Sequence, residues 1–196
     1  MKYNIYDTDA LVLKSFIQGE DSLTVLLLTR EFGCLYARAQ GVRKPQSKLR
    51  FGTVDSSLVS VGLLSGKNGW RITYLVPQNN FYFSLRKSSL AQGAVVKIMS
   101  VCKHLVGEGK DNQEIFDTVT GGFFEMIKNK KQKEEIKIIE KMVMLKLLFV
   151  LGYVEYSVYS QFFFKNERLE EKDRVALNLL QRKITLEINK ALEAAW

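Results

Sequence analysis

TREFGCLYARAQGVRKPQSKLR, residues Thr29–Arg50, is the passage on which the fold turns. It opens at the end of one strand, turns at Phe32-Gly33, and runs through a second strand, Cys34–Gln40, into a loop. On that second strand Leu35, Ala37 and Ala39 fall on one face and Tyr36, Arg38 and Gln40 on the other, the period of a half-buried strand. The loop then gathers Arg43, Lys44, Lys48 and Arg50 around Pro45 and Ser47. With Arg38 this makes five cations in thirteen residues, and no acid intervenes between Glu31 and Asp55. So dense an acid-free run points to a surface that meets phosphates; a solvated loop on a basic protein is the bland alternative.

Working outward, the flanking segments read as further strands. Ala10–Ile17 is a short apolar run closed by the polar turn Gln18–Asp21. Ser22–Thr29 places Leu23, Val25 and Leu27 on one face, and Ser57–Leu64 alternates through Val59, Val61 and Leu63. The turn SGKNG, Ser65–Gly69, leads into Trp70–Val76, where Trp70, Ile72, Tyr74 and Val76 alternate. Five strands joined by Gly-rich turns predict a small closed or nearly closed barrel. Tyr36 and Arg38 project side by side, a ring to stack a base and a guanidinium to grip its backbone. Lys14, Lys67 and Arg71 add cations on other strands and turns, which suits single-strand binding by an oligonucleotide-binding (OB) fold.

After Pro77 the period changes to that of helices. One is predicted from Ser88 or Ser89 to about Leu105, and a second over Gln113–Lys128, weakened by Gly121-Gly122. A third covers Lys133–Leu151, with Gly152 as its C-cap. Tyr153–Phe164 is aromatic-rich and carries no clear period, whereas Glu170–Ala195 reads as one long or two short amphipathic helices through Ile184, Ile188 and Leu192. The expected class is α+β: a five-stranded OB barrel over residues 1–80, then an α-helical domain over 81–196. Cations are expected to cluster only in the first half.

The totals narrow the function. A chain of 196 residues, 46% hydrophobic, can bury one good core or two smaller ones. A net charge of +8 favours anionic partners weakly. Cys34 and Cys102 are far apart and read as small buried hydrophobes in a reducing cytoplasm. The polar start MKYNIYDTD lacks the pattern of a signal peptide, and no run approaches the roughly 20 apolar residues of a membrane span. A cytoplasmic protein without membrane contact is therefore expected. For catalysis, His104 is the sole histidine and has no nucleophile in a suitable setting. Phosphate-loop, dinucleotide and HExxH motifs are missing. Asp7, Asp9, Glu20 and Asp21 read as strand-end and turn acids. No enzyme, cofactor or metal is expected.

Taken together, Ala10-Leu11-Val12-Leu13-Lys14, Gly19-Glu20-Asp21-Ser22, Thr29 to Gly33, Ala39-Gln40-Gly41-Val42-Arg43-Lys44 and Ser47-Lys48 resemble, in order and spacing, the N-terminal domain of the bacterial RecO proteins. LLFVLGYV, Leu147–Val154, is similar to the end of a leucine-rich helix in that family's helical domain. The resemblance implies an OB fold followed by helices and a role in recombinational DNA repair. It also implies binding of single- and double-stranded DNA, strand annealing without ATP, and two partners, a RecR-like protein and the tail of single-strand-binding protein. The family motif carries DNA-binding roles onto Arg43, Lys44 and Lys48. Arg38, Arg50, Lys14, Arg71 and Tyr36 join them from their own placement. Two departures stand out. Residues 153–196 lack the four cysteines of the zinc site found in many members, and the chain is shorter than is usual. The competing expectation is a scaffold whose basic barrel docks an acidic protein.

Overall fold

The computed structural model describes residues 4–67, 69–107, 113–157 and 184–195. In it the alternation around Leu35 becomes β3 (Gly33–Ala39), preceded in the chain by β1 (Ile5–Gln18) and β2 (Ser22–Thr29) and followed by β4 (Ser57–Gly66) and β5 (Gly69–Asn80). The strands close into a barrel in the order β1-β2-β3-β5-β4, with β4 returning to β1. All pairs are antiparallel except the short β3–β5 seam, where Ala37 faces Trp70 and Arg38 faces Arg71. This is the OB architecture expected from the sequence. Ala10, Val12, Val25, Leu27, Leu35, Ala37, Val59, Val61, Leu63 and Ile72 fill the interior.

Two irregularities explain where the strands differ from expectation. A bulge between Val12 and Lys14 breaks the register of β1 against β2. Beyond it Lys14 and Phe16, opposite Leu26 and Thr24, face outward, a change of phase that hides alternation in the run Ala10–Ile17. Likewise β5 continues past Pro77 to Asn80, because Pro77 falls where the β4–β5 register shifts between Leu58 and Val59. A proline without an N–H is tolerated at such a point.

The segment from Gly41 to Ser56 is more firmly seated than a flexible loop. Val42 is buried in the barrel core and Leu49 packs against it. Gly52 is buried so close to the Leu75 side chain that a Cβ there would collide with it. Ser56, at φ 68°, donates its N–H to the Val12 carbonyl, and its own carbonyl accepts from Phe81.

Helices α1 (Phe81–Ser84), α2 (Ser89–Leu105), α3 (Gln113–Lys128) and α4 (Lys133–Val150) follow. The Asn80 side chain caps α1 and the Ser88 hydroxyl caps α2. Helix α4 ends as expected at Gly152, φ 82°: Gly152 N–H donates to Phe149 O and Tyr153 N–H to Leu148 O, the paired bonds of a Schellman cap. Residues 184–195 are helical, and Ile184, Ile188 and Ala191 are buried in the helical core. Most of the expected Glu170–Ala195 helix and of Tyr153–Phe164 lies outside the described residues. The helical core also takes in Leu11, Leu13, Leu26, Leu28, Cys34 and Leu58 from the outside of the barrel, so barrel and helices share one apolar interface. Among the described residues no helix is long and apolar enough to cross a membrane.

Candidate nucleic-acid interface

Strand register brings the outward residues into rows. Phe16 lies opposite Thr24, Thr24 opposite Arg38, and Arg38 opposite Arg71 across the parallel seam. The neighbouring row runs from Lys14 through Leu26 to Tyr36. The rows are stitched by the rings of Phe16 and Tyr36, whose centroids lie 6.4 Å apart. Tyr36 is 56% exposed, so the pair presents an aromatic surface rather than a core contact. Lys103, near the end of α2, places its ammonium 5.9 Å from the Phe16 ring.

The charges divide into two groups. Lys14 is bound to Asp55 at 2.9 Å, and Asp55 also accepts from the Ser15 N–H. The Arg43 guanidinium donates to Gly19 O at 3.3 Å while its backbone N–H donates to Asp21 O, and Lys44 stands 3.6 Å from the Asp21 carboxylate. Those three cations tie the long loop and β1 to their surroundings. Arg38, Lys48, Arg50 and Arg71, by contrast, are exposed and have no ion-pair partner among the described residues. Like charges directly opposite one another on neighbouring strands repel, so the Arg38–Arg71 pair favours an anion between or above them. Beside Arg50, Phe51 is 76% exposed.

Thus Tyr36, Arg38 and Arg71 meet on one face. Lys48 and Arg50 project from the seated loop, and Lys14, Arg43 and Lys44 serve partly as anchors. Phe16 and Lys103 escape a reading of the sequence. The bulge conceals the first, and the second comes from a helix 65 positions later in the chain than Arg38, with no local signal of its neighbours. Lys67 is exposed in the β4–β5 turn.

The surface offers binding chemistry. Burial pushes the Cys34 thiol up to about 12 and raises Cys102 further, with the neighbouring Cys34 adding to it, which makes both poor nucleophiles. His104 Nδ1–H donates to Ser100 O on the exposed side of α2. Asp9 accepts from Ser60 and Gln78, and Asp7 accepts from the Tyr74 hydroxyl, which that bond holds above the usual phenol range. Among the described residues no group of His, Cys, Asp or Glu side chains is arranged to hold a metal.

Residues 1–69 match the family model described as recombination protein O N terminal. A "DNA repair protein RecO" of Heliobacterium modesticaldum is 44% identical over 77 residues, covering 39% of this chain and 28% of the relative. One from Desulfitobacterium hafniense is 26% identical over 151 residues, 76% of this chain and 52% of its own length. One from Moorella thermoacetica is 29% identical over 112 residues, 57% of this chain and 42% of the relative. The chain thus spans about half or less of the relatives it matches.

Proposed function

We propose, from the premise that this chain belongs to the RecO family, that it is a non-enzymatic DNA-binding protein of recombinational repair that anneals complementary strands. The observation that carries this reading is the in-register pair Arg38 and Arg71, without counter-carboxylates among the described residues and beside the exposed Phe16–Tyr36 rings. Guanidinium groups take phosphates and rings take bases, in any sequence. Bringing cations to two backbones lowers the repulsion between strands and leaves base edges free to pair. A RecR-like protein and the tail of single-strand-binding protein are the partners that family membership suggests.

The test is oligonucleotide binding across a salt series, followed by strand annealing with and without single-strand-binding protein. With about three to five phosphate contacts on a single strand, log K against log salt falls with a slope of about −2 to −4. Arg38→Glu with Arg71→Glu reduces binding and annealing together while the melting temperature holds. Salt-independent affinity, or annealing unaffected by the double substitution, contradicts the proposal.

A further inference from the structure

Away from the barrel face, Phe83, Ser84, Arg86, Lys87, Lys130 and Asn79 line an open hollow of about 500 Å³ where the end of β5, α1 and the α3–α4 turn meet. It is assembled from separate stretches, and the turn that closes it belongs to a run, Lys128-Asn129-Lys130-Lys131-Gln132-Lys133, with four lysines in six residues. The expectation that cations cluster only in the first half is therefore corrected by chain folding and by that run. Among the described residues no carboxylate lines the hollow, and Arg86, Lys87 and Lys130 have no ion-pair partner. The Ser84 hydroxyl donates to Asn79 Oδ1, leaving the Asn79 amide nitrogen as a further donor. Phe83 is 60% exposed at the rim, its backbone N–H fixed by Asn80 Oδ1.

We propose that this hollow is a second nucleic-acid site, taking the phosphates of a single strand on Arg86, Lys87 and Lys130 and a base on Phe83. Three cations with an amide donor beside them exceed what one carboxylate can use, whereas a row of phosphates uses them all. An acidic peptide anchored by an apolar side chain would want an enclosed apolar pit, and among the described residues Phe83 is the sole apolar side chain lining this open site. Along β5 the hollow is separated from Arg71 by Asp7, bonded to Tyr74, and Asp9, bonded to Gln78. Those acids keep the two basic sites distinct, so one chain holds two strands side by side. The inference rests on the reading of the chain as a DNA-binding protein, and it adds the second strand that annealing requires.

The experiment is a stoichiometric titration of the full chain with a dye-labelled oligothymidylate of about six nucleotides, short enough to fill one site only. Two strands bind per chain in the parent, and one in Arg86→Gln/Lys87→Gln/Lys130→Gln. Arg38→Gln/Arg71→Gln removes the other. In that second background Phe83→Ala weakens the remaining binding by at least about fivefold. Thermal melting confirms that each variant is folded, and Arg86→Gln alone replaces the triple variant if it is not. Two strands still bound by a folded hollow variant overturn the proposal. So does an aspartate-rich peptide whose binding the hollow variant abolishes while oligonucleotide stoichiometry stays at two. If instead the hollow variant loses one strand and Arg38→Gln/Arg71→Gln loses none, the barrel-face reading fails and the hollow stands.

Discussion

The outward faces of β1, β2 and β3 are two surfaces joined end to end. At one end Leu11, Leu28 and Cys34 are buried under the helices; at the other Phe16, Tyr36 and Arg38 stand in solvent. Cys34 and Tyr36 are consecutive outward positions of a single strand, so the change takes one step of the pleat. The helices grip one end of the rows while the other end presents rings and guanidinium groups. The open face thereby gains the rigidity of a packed strand without being covered, which lowers the ordering cost of binding.

The sharpest measure of the divide is chemical. Cys34, with its thiol pushed up to about 12 by burial, is protonated throughout the neutral range; thiolate forms only as the pH climbs towards that value. At pH 8 the native protein should react with a disulfide reagent at least about a hundredfold more slowly than the same chain in denaturant. Stopped-flow absorbance reads both rates. Rapid labelling of the native chain would place β3 in solvent over its whole length and erase the contrast.

Next in size is the open end. Tyr36→Ala should cost about 1–3 kcal/mol of single-strand affinity, the range for a lost base–aromatic stack, and Phe16→Ala should weaken binding in the same direction. Neither should move the folding free energy by more than about 0.5 kcal/mol if both rings are chiefly ligand surface. Anisotropy titration and urea melts together decide it. A large loss of stability at Tyr36 would make the ring a structural member of the barrel.

How much of this was legible varies by element. β2 and β3 were readable because their inward residues alternate without interruption, and a small barrel followed from five strands joined by Gly-rich turns, whereas the order that sets β5 beside β3 did not. The outward rows were not readable, since the bulge at Val12/Lys14 swaps the phase of β1 in mid-strand. Spacing cannot show that a helix end brings Lys103 to Phe16, or that Arg86, Lys87 and Lys130 converge. Gly121-Gly122 is instructive because the sequence makes the two glycines equal. A Cβ on Gly121 meets nothing within 4 Å, whereas one on Gly122 collides with Val143 of α4. Gly121→Ala should therefore stabilise the fold by about 0.5–1 kcal/mol. Gly122→Ala should destabilise it by about 1–3 kcal/mol, because a branched side chain on a helix has little freedom to step aside. Equal shifts in urea midpoint would mean that α3 and α4 do not meet closely here, loosening the helical pack that covers the buried end.

The smallest effect tests the division among the cations of the open end. Lys44 and Asp21 form an exposed pair at 3.6 Å, with side chains 52% and 55% accessible, so water and salt screen their attraction. Removing it by Lys44→Ala should change stability by no more than about 1 kcal/mol. Its effect on DNA is the informative part. Lys44 already has a carboxylate beside it, and a phosphate must compete with that partner, whereas among the described residues Arg38 has none to displace. Lys44→Ala should accordingly cost less affinity than Arg38→Ala under the same salt. Asp21→Asn, which releases the Lys44 ammonium, should raise affinity slightly. If Lys44→Ala proves the more damaging of the two, the long loop rather than the strand face carries the phosphates. The in-register arginines would then lose their place as the centre of the site.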